Sequence, residues 1–139
     1  MAATSAQDDI ELAKLPVVRI QDVLLSRMVV REEAARLGFS PQALTQIATA
    51  VSEITRNVVQ HTGGAGQVRV LKITEAGRVG LRIAVEDDGT GISDIDRALA
   101  GTSPGAGIPG SRKLMDEFEI RSNASRGTTV TMVKWLPSA

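Results

Sequence analysis

Residues 40–61 read SPQALTQIATAVSEITRNVVQH, and the rest of the chain is best interpreted outward from them. Ser40 is a favoured N-cap residue, Pro41 suits the first helical position, and Gly63-Gly64 ends the segment, so a helix is predicted over residues 41–61. One face of this helix is apolar and carries Leu44, Ile47, Val51, Ile54 and Val58. The other face is polar and carries Glu53, Arg56, Asn57 and Gln60. The helix is therefore expected to bury one side and to present a polar surface on the other.

The flanking segments predict an α+β fold, a two-layer sandwich in which helices cover one face of a mostly antiparallel sheet. A β-branched run at 17–20 predicts a first strand, and helical spacing over 23–37, ended by Gly38, predicts a first helix. Two apolar runs, 67–73 and 79–85, joined by a turn at Gly77, predict a hairpin. Short helices are expected at 95–99 and 111–118, and a second hairpin pairs 118–121 with 128–135.

The composition is that of one globular domain. The chain has 139 residues, of which 42% are hydrophobic and 23% charged. Residues 1–16 are expected to form a flexible tail and residues 17–139 the domain. Sixteen Lys and Arg balance sixteen Asp and Glu, so the overall charge gives no argument for a nucleic acid or a membrane as partner.

Two absences in the sequence narrow the possible chemistry. There is no cysteine, which excludes disulfides, thiolate metal sites and cysteine nucleophiles. No apolar run is long enough to span a bilayer, and the start of the chain lacks the pattern of a leader peptide. A cytoplasmic location is therefore expected.

Two residues on the polar face of the long helix are candidates for chemistry. Glu53 and Asn57 lie one helical turn apart. The carboxylate suits a general base, and the amide oxygen suits Mg²⁺, an ion that takes few protein ligands and keeps water and phosphate oxygens. Taken alone, the pair is more typical of a solvated polar face than of a reactive site. His61 at the end of this helix is more typical of a partner for the helix dipole than of a catalyst.

A second motif, EDDGTGISD at residues 86–94, directly follows an apolar run. Asp87 there suits a hydrogen-bond acceptor for a ligand's amino group, while Gly89 and Gly91 allow the backbone to approach the ligand closely. A tight turn rich in Asp and Gly is the alternative interpretation.

A third motif, GAGIPG at residues 105–110, precedes a predicted helix. Backbone amides around Gly105, Gly107 and Gly110 would converge on phosphate, although the alternative is an ordinary surface loop. The pattern is neither a Walker A loop nor a Rossmann fingerprint after a first strand. Thr128 opens the last strand, where its hydroxyl would reach a ligand or simply belong to the sheet.

The order of these motifs resembles that of the GHKL ATPase superfamily, whose members bind nucleotide in a Bergerat pocket. Within that superfamily the chain is most similar to the anti-sigma-factor serine/threonine kinases, and among these to the stressosome switch kinases. The resemblance rests on SEITRN (52–57), EDDGTGISDI (86–95), GAGIPGSRKLMDEF (105–118) and VKWL (133–136), and it covers about residues 17–136.

The resemblance implies a role for each motif residue of the long helix. Glu53 would be the catalytic base that takes the proton from a substrate serine. Asn57 would be the ligand of Mg²⁺, and Arg56 beside it would touch phosphate.

The resemblance also implies how nucleotide is held. Asp87 would accept a hydrogen bond from the adenine amino group, and Thr128 would lie at the adenine end. Gly89 and Gly91 would shape the wall of the pocket beside adenine. The lid and the phosphate loop would be formed by Gly105, Gly107 and Gly110.

The implied activity is that of an ATP-dependent serine/threonine protein kinase that uses ATP and Mg²⁺ and yields ADP. Its substrate would be a STAS-domain protein of a partner-switching pathway, and its output a PP2C-type phosphatase or a sigma factor; a homodimer is left open. The alternative is a nucleotide-binding anti-sigma or partner-binding switch module with little turnover, which fits the short segment between Ile92 and Gly105. A decayed pocket that only mediates assembly is a further alternative.

Overall fold

The computed structural model describes residues 9–61, 66–87, 107–123 and 127–137, and within these ranges the chain forms five strands and three helices. In chain order they are β1 (Ile10–Val17), α1 (Ile20–Leu37), α2 (Pro41–His61), β2 (Gly66–Glu75), β3 (Arg78–Asp87), α3 (Gly107–Leu114), β4 (Glu117–Asn123) and β5 (Gly127–Trp135). The short helix predicted at 95–99 lies outside the described residues.

The strands form one antiparallel sheet with the order β1-β2-β3-β5-β4. α1 packs against α2 and β1, α2 also contacts β1, β2 and β3, and α3 packs against α2. Fully buried side chains of α2 share one core with those of the sheet: Ile47, Ile54, Leu81, Ile83 and Met132. The predicted α+β sandwich is confirmed. Within the described ranges, every helix is too short or too polar to cross a bilayer.

α2 matches its prediction at both ends. It begins at Pro41 and ends at His61, and the Ser40 hydroxyl oxygen accepts the N–H of Ala43 at 3.2 Å, as an N-cap does. The five residues of the predicted apolar face are all buried. Burial of that face leaves the polar face turned away from the core, where the candidate residues lie.

The first hairpin also forms as predicted. β2 and β3 pair without interruption from Gly66 opposite Asp87 to Glu75 opposite Arg78. Ala76 and Gly77 form the turn with φ of 52° and 79°, the left-handed geometry that matches the twist of a two-residue hairpin. The continuous register fixes which residues of β2 lie beside Asp87 at the far end.

The position of the first strand was predicted wrongly. The strand occupies Ile10–Val17, inside the segment expected to be a tail, and α1 begins at Ile20 where the strand was expected to end. β1 is an edge strand whose Glu11 forms an ion pair with Arg69 of β2, and Asp9, just before the strand, pairs with Arg82 of β3, both at 2.8 Å. Its charged residues and proline hide the alternation of inward and outward side chains, and an edge strand tolerates such residues.

The third helix was predicted four residues too late. It spans Gly107–Leu114, not 111–118, and β4 already begins at Glu117. Asp116 draws the chain into the sheet: its N–H donates to the Val133 carbonyl at 2.9 Å, and its Oδ2 accepts the Trp135 N–H at 2.7 Å. Proline in the first turn is compatible with the earlier start, because first-turn N–H groups have no intrahelical acceptor.

Asp22 stabilises the start of α1 in a way that depends on pH. Its Oδ2 accepts the N–H groups of Arg19 and Val18, each at 2.9 Å, and these bonds lower the pKa of the carboxyl. A lowered pKa contributes stability above the unfolded-state value, about 3.9, and that stability is lost as pH falls through the folded-state value. We expect acidification from neutral pH to about pH 3 to lower the Tm of the wild type more than that of Asp22→Asn, measured by circular dichroism. Equal losses in the two proteins would contradict the assignment.

Candidate functional site

The candidate site lies at the end of the sheet where β3 finishes and β5 begins. Asp87, the last residue of β3, pairs with Thr128 on β5. Both side chains are buried, with 6% and 3% of their surface exposed, respectively. Directly paired residues project from the same face of a sheet, and here that face also carries the buried Ile83 and Val130. The sheet therefore brings these two predicted nucleotide contacts together on the helix side.

Gly66 joins this end of the sheet to α2. Gly66 is the first residue of β2 and pairs with Asp87, so Asp87 lies between Gly66 on β2 and Thr128 on β5. A Cβ atom at Gly66 would lie 2.9 Å from Cγ1 of Val58, 3.5 Å from Cα of Asp87 and 2.5 Å from the carbonyl oxygen of Glu86. Only glycine allows α2 to approach the strands this closely. Since Val58 follows Asn57, the structure places Asn57 and Asp87 at the same end of the molecule.

The close approach predicts the effect of Gly66→Ala. The added methyl group must push Val58 away from the strands, so we expect a loss of about 1–3 kcal/mol in the free energy of unfolding together with weaker ADP binding, measured by thermal unfolding and calorimetry. Gly80→Ala is the matched control, because its Cβ would lie 2.6 Å from Trp135 Cε3, seven residues along β3 from the site. Gly80→Ala should lower stability but not the ADP affinity of the folded protein. The same ADP affinity in both variants would contradict this account.

The polar face of α2 contains one engaged and one unpaired group. Nη1 of Arg56 donates to Oε1 of Glu53 at 2.9 Å, and the two side chains are 41% and 33% exposed. Asn57 is half-buried, and its Nδ2 is a buried atom with no hydrogen-bond partner among the residues that the structure describes. A buried unpaired amide is costly, so this side chain is suited to complete its bonding with a ligand.

α3 lies along this polar face. Ser111 is fully buried, and its hydroxyl donates to the carbonyl oxygen of Ala50 at 3.4 Å. Ala50 lies two helical turns before Asn57, on the same side of α2. Of the glycine motif before this helix, Gly107 is the first helical residue and Gly110 is exposed on it, with no atom within 4 Å of an added Cβ.

Three predicted residues cannot be placed. Gly89, Gly91 and Gly105 lie outside the described residues, and their roles stay predictions. Arg56 was predicted to touch phosphate. In the structure it pairs with Glu53 and lines a groove between α1 and α2. Its contact with phosphate stays a prediction as well.

Sequence reasoning did not single out Gly66 or Ser111. Gly66 matters only because β2 pairs with β3 and α2 packs over both, and Ser111 matters only because α3 packs on α2. Neither relation leaves a local pattern in the sequence. The one available signal was the placement of Gly66 at the start of an apolar strand, five residues after the last residue of α2.

The donor set fits a Mg²⁺ ion held mostly by phosphate. Across the described ranges, no group of three or more His, Cys, Asp or Glu side chains could hold a metal. Among the described residues, Nδ2 of Asn57 is a buried N–H donor without a partner, which suits a phosphate oxygen, and Mg²⁺ would take the amide oxygen Oδ1 of the same side chain. A single oxygen ligand of this kind is typical for Mg²⁺ bound together with phosphate oxygens and water.

Known proteins resemble the chain over most of its length. Residues 18–134 match the family described as histidine kinase-like ATPase domain. The chain is 39% identical over 120 residues to serine/threonine-protein kinase RsbT of Bacillus subtilis (strain 168), with 83% of this chain and 90% of that protein covered. It is 34% identical over 130 residues to an anti-sigma F factor of Bacillus thuringiensis (strain Al Hakam), with 86% and 88% covered, respectively.

A solved structure shares the fold. A chain of the SiaB-SiaC complex from Pseudomonas aeruginosa matches with a TM-score of 0.55, covering 97% of this chain and 94% of that one. The two are only 9% identical, so this likeness concerns the fold alone.

Proposed function

The chain belongs to the family of histidine kinase-like ATPase domains and is a serine/threonine protein kinase, and from this premise we propose that it phosphorylates a STAS-domain protein in a cytoplasmic partner-switching pathway. The resemblance to GHKL ATPases and to the anti-sigma-factor kinases is confirmed by these relatives. A domain of this family binds ATP or ADP. The identity of the protein substrate rests on the sequence resemblance.

One observation carries the proposal in this chain. The contact geometry around Gly66 puts the buried Asp87 at the same end of the fold as Asn57, whose buried Nδ2 has no partner in the described part of the chain. A bound nucleotide needs a hydrogen-bond acceptor for its adenine amino group, which the carboxylate of Asp87 provides. Its triphosphate needs an oxygen ligand for the accompanying metal, which the amide oxygen of Asn57 provides. Glu53 lies one turn from Asn57, within reach of the same space.

The proposed reaction needs few protein groups. Asp87 accepts a hydrogen bond from the adenine amino group, and Thr128 supports that end. When bound at Asn57, Mg²⁺ neutralises charge on the phosphate oxygens. Glu53 accepts the proton of the substrate hydroxyl while the hydroxyl oxygen forms a bond to the γ-phosphorus. The bond between the γ-phosphorus and the oxygen that bridges it to the β-phosphate breaks, and ADP leaves. Positioning supplies most of the acceleration in such transfers.

The phosphorylated substrate would then release the kinase. In the proposed pathway the freed kinase binds and regulates a PP2C-type phosphatase or acts on a sigma-factor pathway. This step is supported by the resemblance to stressosome switch kinases.

A second candidate function is a nucleotide-binding anti-sigma or partner-binding module with little turnover. It is favoured by the 34% identity to an anti-sigma F factor and by the ion pair that occupies Oε1 of Glu53. The two functions separate experimentally: the full chain is incubated with radiolabelled ATP, Mg²⁺ and each STAS-domain protein encoded in the same genome. A kinase labels one of them on Ser or Thr. Binding of both ATP and partner without label supports the second candidate.

Nucleotide binding has its own test in thermal unfolding. A ligand that binds only the folded state stabilises it by about 2.7 kcal/mol at about 100 times its Kd. We expect ADP with Mg²⁺ to raise the Tm of the full chain, and ADP with a chelator to raise it less. No shift with either nucleotide would contradict a working pocket and would favour a decayed one.

A further inference from the structure

A lysine ends the row of core-facing side chains on β5. Thr128, Val130 and Met132 project from the helix side of the sheet and are buried. Lys134, two residues further along, pairs with the fully buried Leu81 and therefore projects from the same side. A charged group on a core face is costly unless it finds a hydrogen-bond partner. Lys134 therefore needs a partner in the helical layer that covers this face.

That partner is the end of α3. Nζ of Lys134 donates to the carbonyl oxygen of Leu114, the last residue of α3, at 2.7 Å. The last four carbonyl groups of a helix have no intrahelical donor and carry partial negative charge, so a cation is a favourable cap there. Here the cation comes from a strand and not from the helix itself. The bond therefore fixes α3 to β5 as well as capping it.

The turn after α3 is fixed to the same strand. The N–H of Asp116 donates to the Val133 carbonyl at 2.9 Å, and Oδ2 of Asp116 accepts the N–H of Trp135 at 2.7 Å. Met115, between the helix and Asp116, is buried. Three consecutive residues of β5, with Lys134 in the middle, thus hold the C-terminal end of α3 and the turn that follows it.

The first half of α3 is attached to α2. The Ser111 hydroxyl donates to the Ala50 carbonyl at 3.4 Å, which is longer than the usual range for a hydroxyl donor. Gly110, in the first turn, is exposed, and a Cβ added there would meet no atom within 4 Å. Of these contacts the shorter ones lie at the C-terminal end, so the placement of the first turn depends on how that end is held.

We propose that Lys134 is a positioning residue for nucleotide phosphate. By fixing the C-terminal end of α3 to β5, it sets where the glycine-bearing start of the helix lies beside the polar face of α2. This inference rests on the proposed function, which assigns Gly107 and Gly110 to phosphate. Lys134 is six residues along β5 from Thr128 at the adenine end, about 20 Å at the rise of a strand. It therefore acts on phosphate through α3 and not by direct contact.

The effect of Lys134 is on affinity for the phosphate part of the nucleotide. When its C-terminal end is released, α3 occupies the phosphate-binding placement for only a fraction of the time, and the apparent affinity falls by that fraction. The adenine end of the site is formed by the pairing of Asp87 with Thr128 on β3 and β5, which does not involve α3. Removing the bond of Lys134 therefore weakens binding of phosphate groups and leaves binding of adenosine unchanged.

The first test compares ADP with adenosine in the full chain by calorimetry. Lys134→Met removes the donor but keeps a side chain of similar length. It should lower ADP affinity about fivefold or more and leave adenosine affinity as in the wild type. Lys113→Met, which removes an exposed lysine from α3 itself, is the matched control and should keep both affinities. A merely structural role would weaken both ligands or neither, so a wild-type ratio of the two affinities in Lys134→Met would overturn the proposal.

A second test needs neither nucleotide nor turnover, so it separates failure of this inference from failure of the proposed function. The sequence has no cysteine, so Gln42→Cys on α2 and Gly110→Cys on α3 give two unique exposed sites for spin labels. The distance distribution between the labels is measured without ligand by pulsed electron paramagnetic resonance. Adding Lys134→Met should broaden it, whereas adding Lys113→Met should not.

The outcomes of the second test bear separately on the two proposals. Identical distributions with and without Lys134→Met would overturn the positioning role, whether or not ADP binds. A wild type that binds no ADP would contradict the proposed function, and with it the inference drawn from that function, even where the distribution broadens.

Discussion

Glu53→Gln is expected to reduce phosphoryl transfer to the protein substrate by about 10²- to 10⁴-fold, the contribution typical of a general base. The amide keeps the size of the carboxylate and still accepts a hydrogen bond from Arg56, but it cannot take a proton. Folding stability should change little, because the ion pair that is lost is between partly exposed groups. Transfer is measured as the initial rate of label appearing on the proposed STAS-domain substrate at saturating ATP.

The control for this variant is Gln60→Ala, which changes an exposed residue of α2 outside the proposed machinery. It should transfer label at the wild-type rate. ADP affinity should be the same in all three proteins, so a lost rate is a lost chemical step. If Glu53→Gln labels the substrate as fast as the wild type, Glu53 is not the base.

Asp87→Asn should have the second large effect, on nucleotide affinity. A hydrogen bond to a charged acceptor contributes about 1.5–3 kcal/mol, so the affinity for ADP should fall about 10- to 100-fold. The wild type should also prefer ADP to inosine diphosphate, which has an oxygen in place of the amino group. Asparagine can donate to that oxygen, so the variant should lose the preference. Both affinities are measured by calorimetry.

The ratio of the affinities for ADP and inosine diphosphate distinguishes a lost hydrogen bond from local misfolding. Asp87 is buried, so a drop in ADP affinity alone could follow from local misfolding, whereas a reversed or abolished preference could not. Glu75→Gln, at the exposed end of the hairpin, is the control and should keep both affinity and preference. An unchanged ratio in Asp87→Asn would contradict the adenine assignment.

The fold was predictable where its signals are local. α2 carries its own cap, its own first-turn proline and a complete apolar face, so its bounds follow from residues 40–61 alone. β1 lacks such signals: its pairing with β2 and the ion pairs of Glu11 with Arg69 and of Asp9 with Arg82 are made by residues far along the chain. Periodicity therefore found the helix and misplaced the edge strand.

The candidate site divides along the same line. Glu53 and Asn57 share a helix face and could be paired from spacing, whereas the pairing of Asp87 with Thr128 depends on the register of β3 and β5. Motif order and family resemblance supplied that link before the register was known. The close approach at Gly66 and the groove lined by Arg56 arise from packing between separate elements, which no single stretch of sequence encodes.

The ion pair of Arg56 with Glu53 has a consequence for the order of events in the proposed reaction. Because both side chains are partly exposed, exchanging the carboxylate for another anion costs little. A phosphate oxygen that draws the guanidinium away, as the family resemblance implies, would leave the carboxylate of Glu53 free to take a proton. Arrival of ATP would then prepare the base before the substrate hydroxyl is in place.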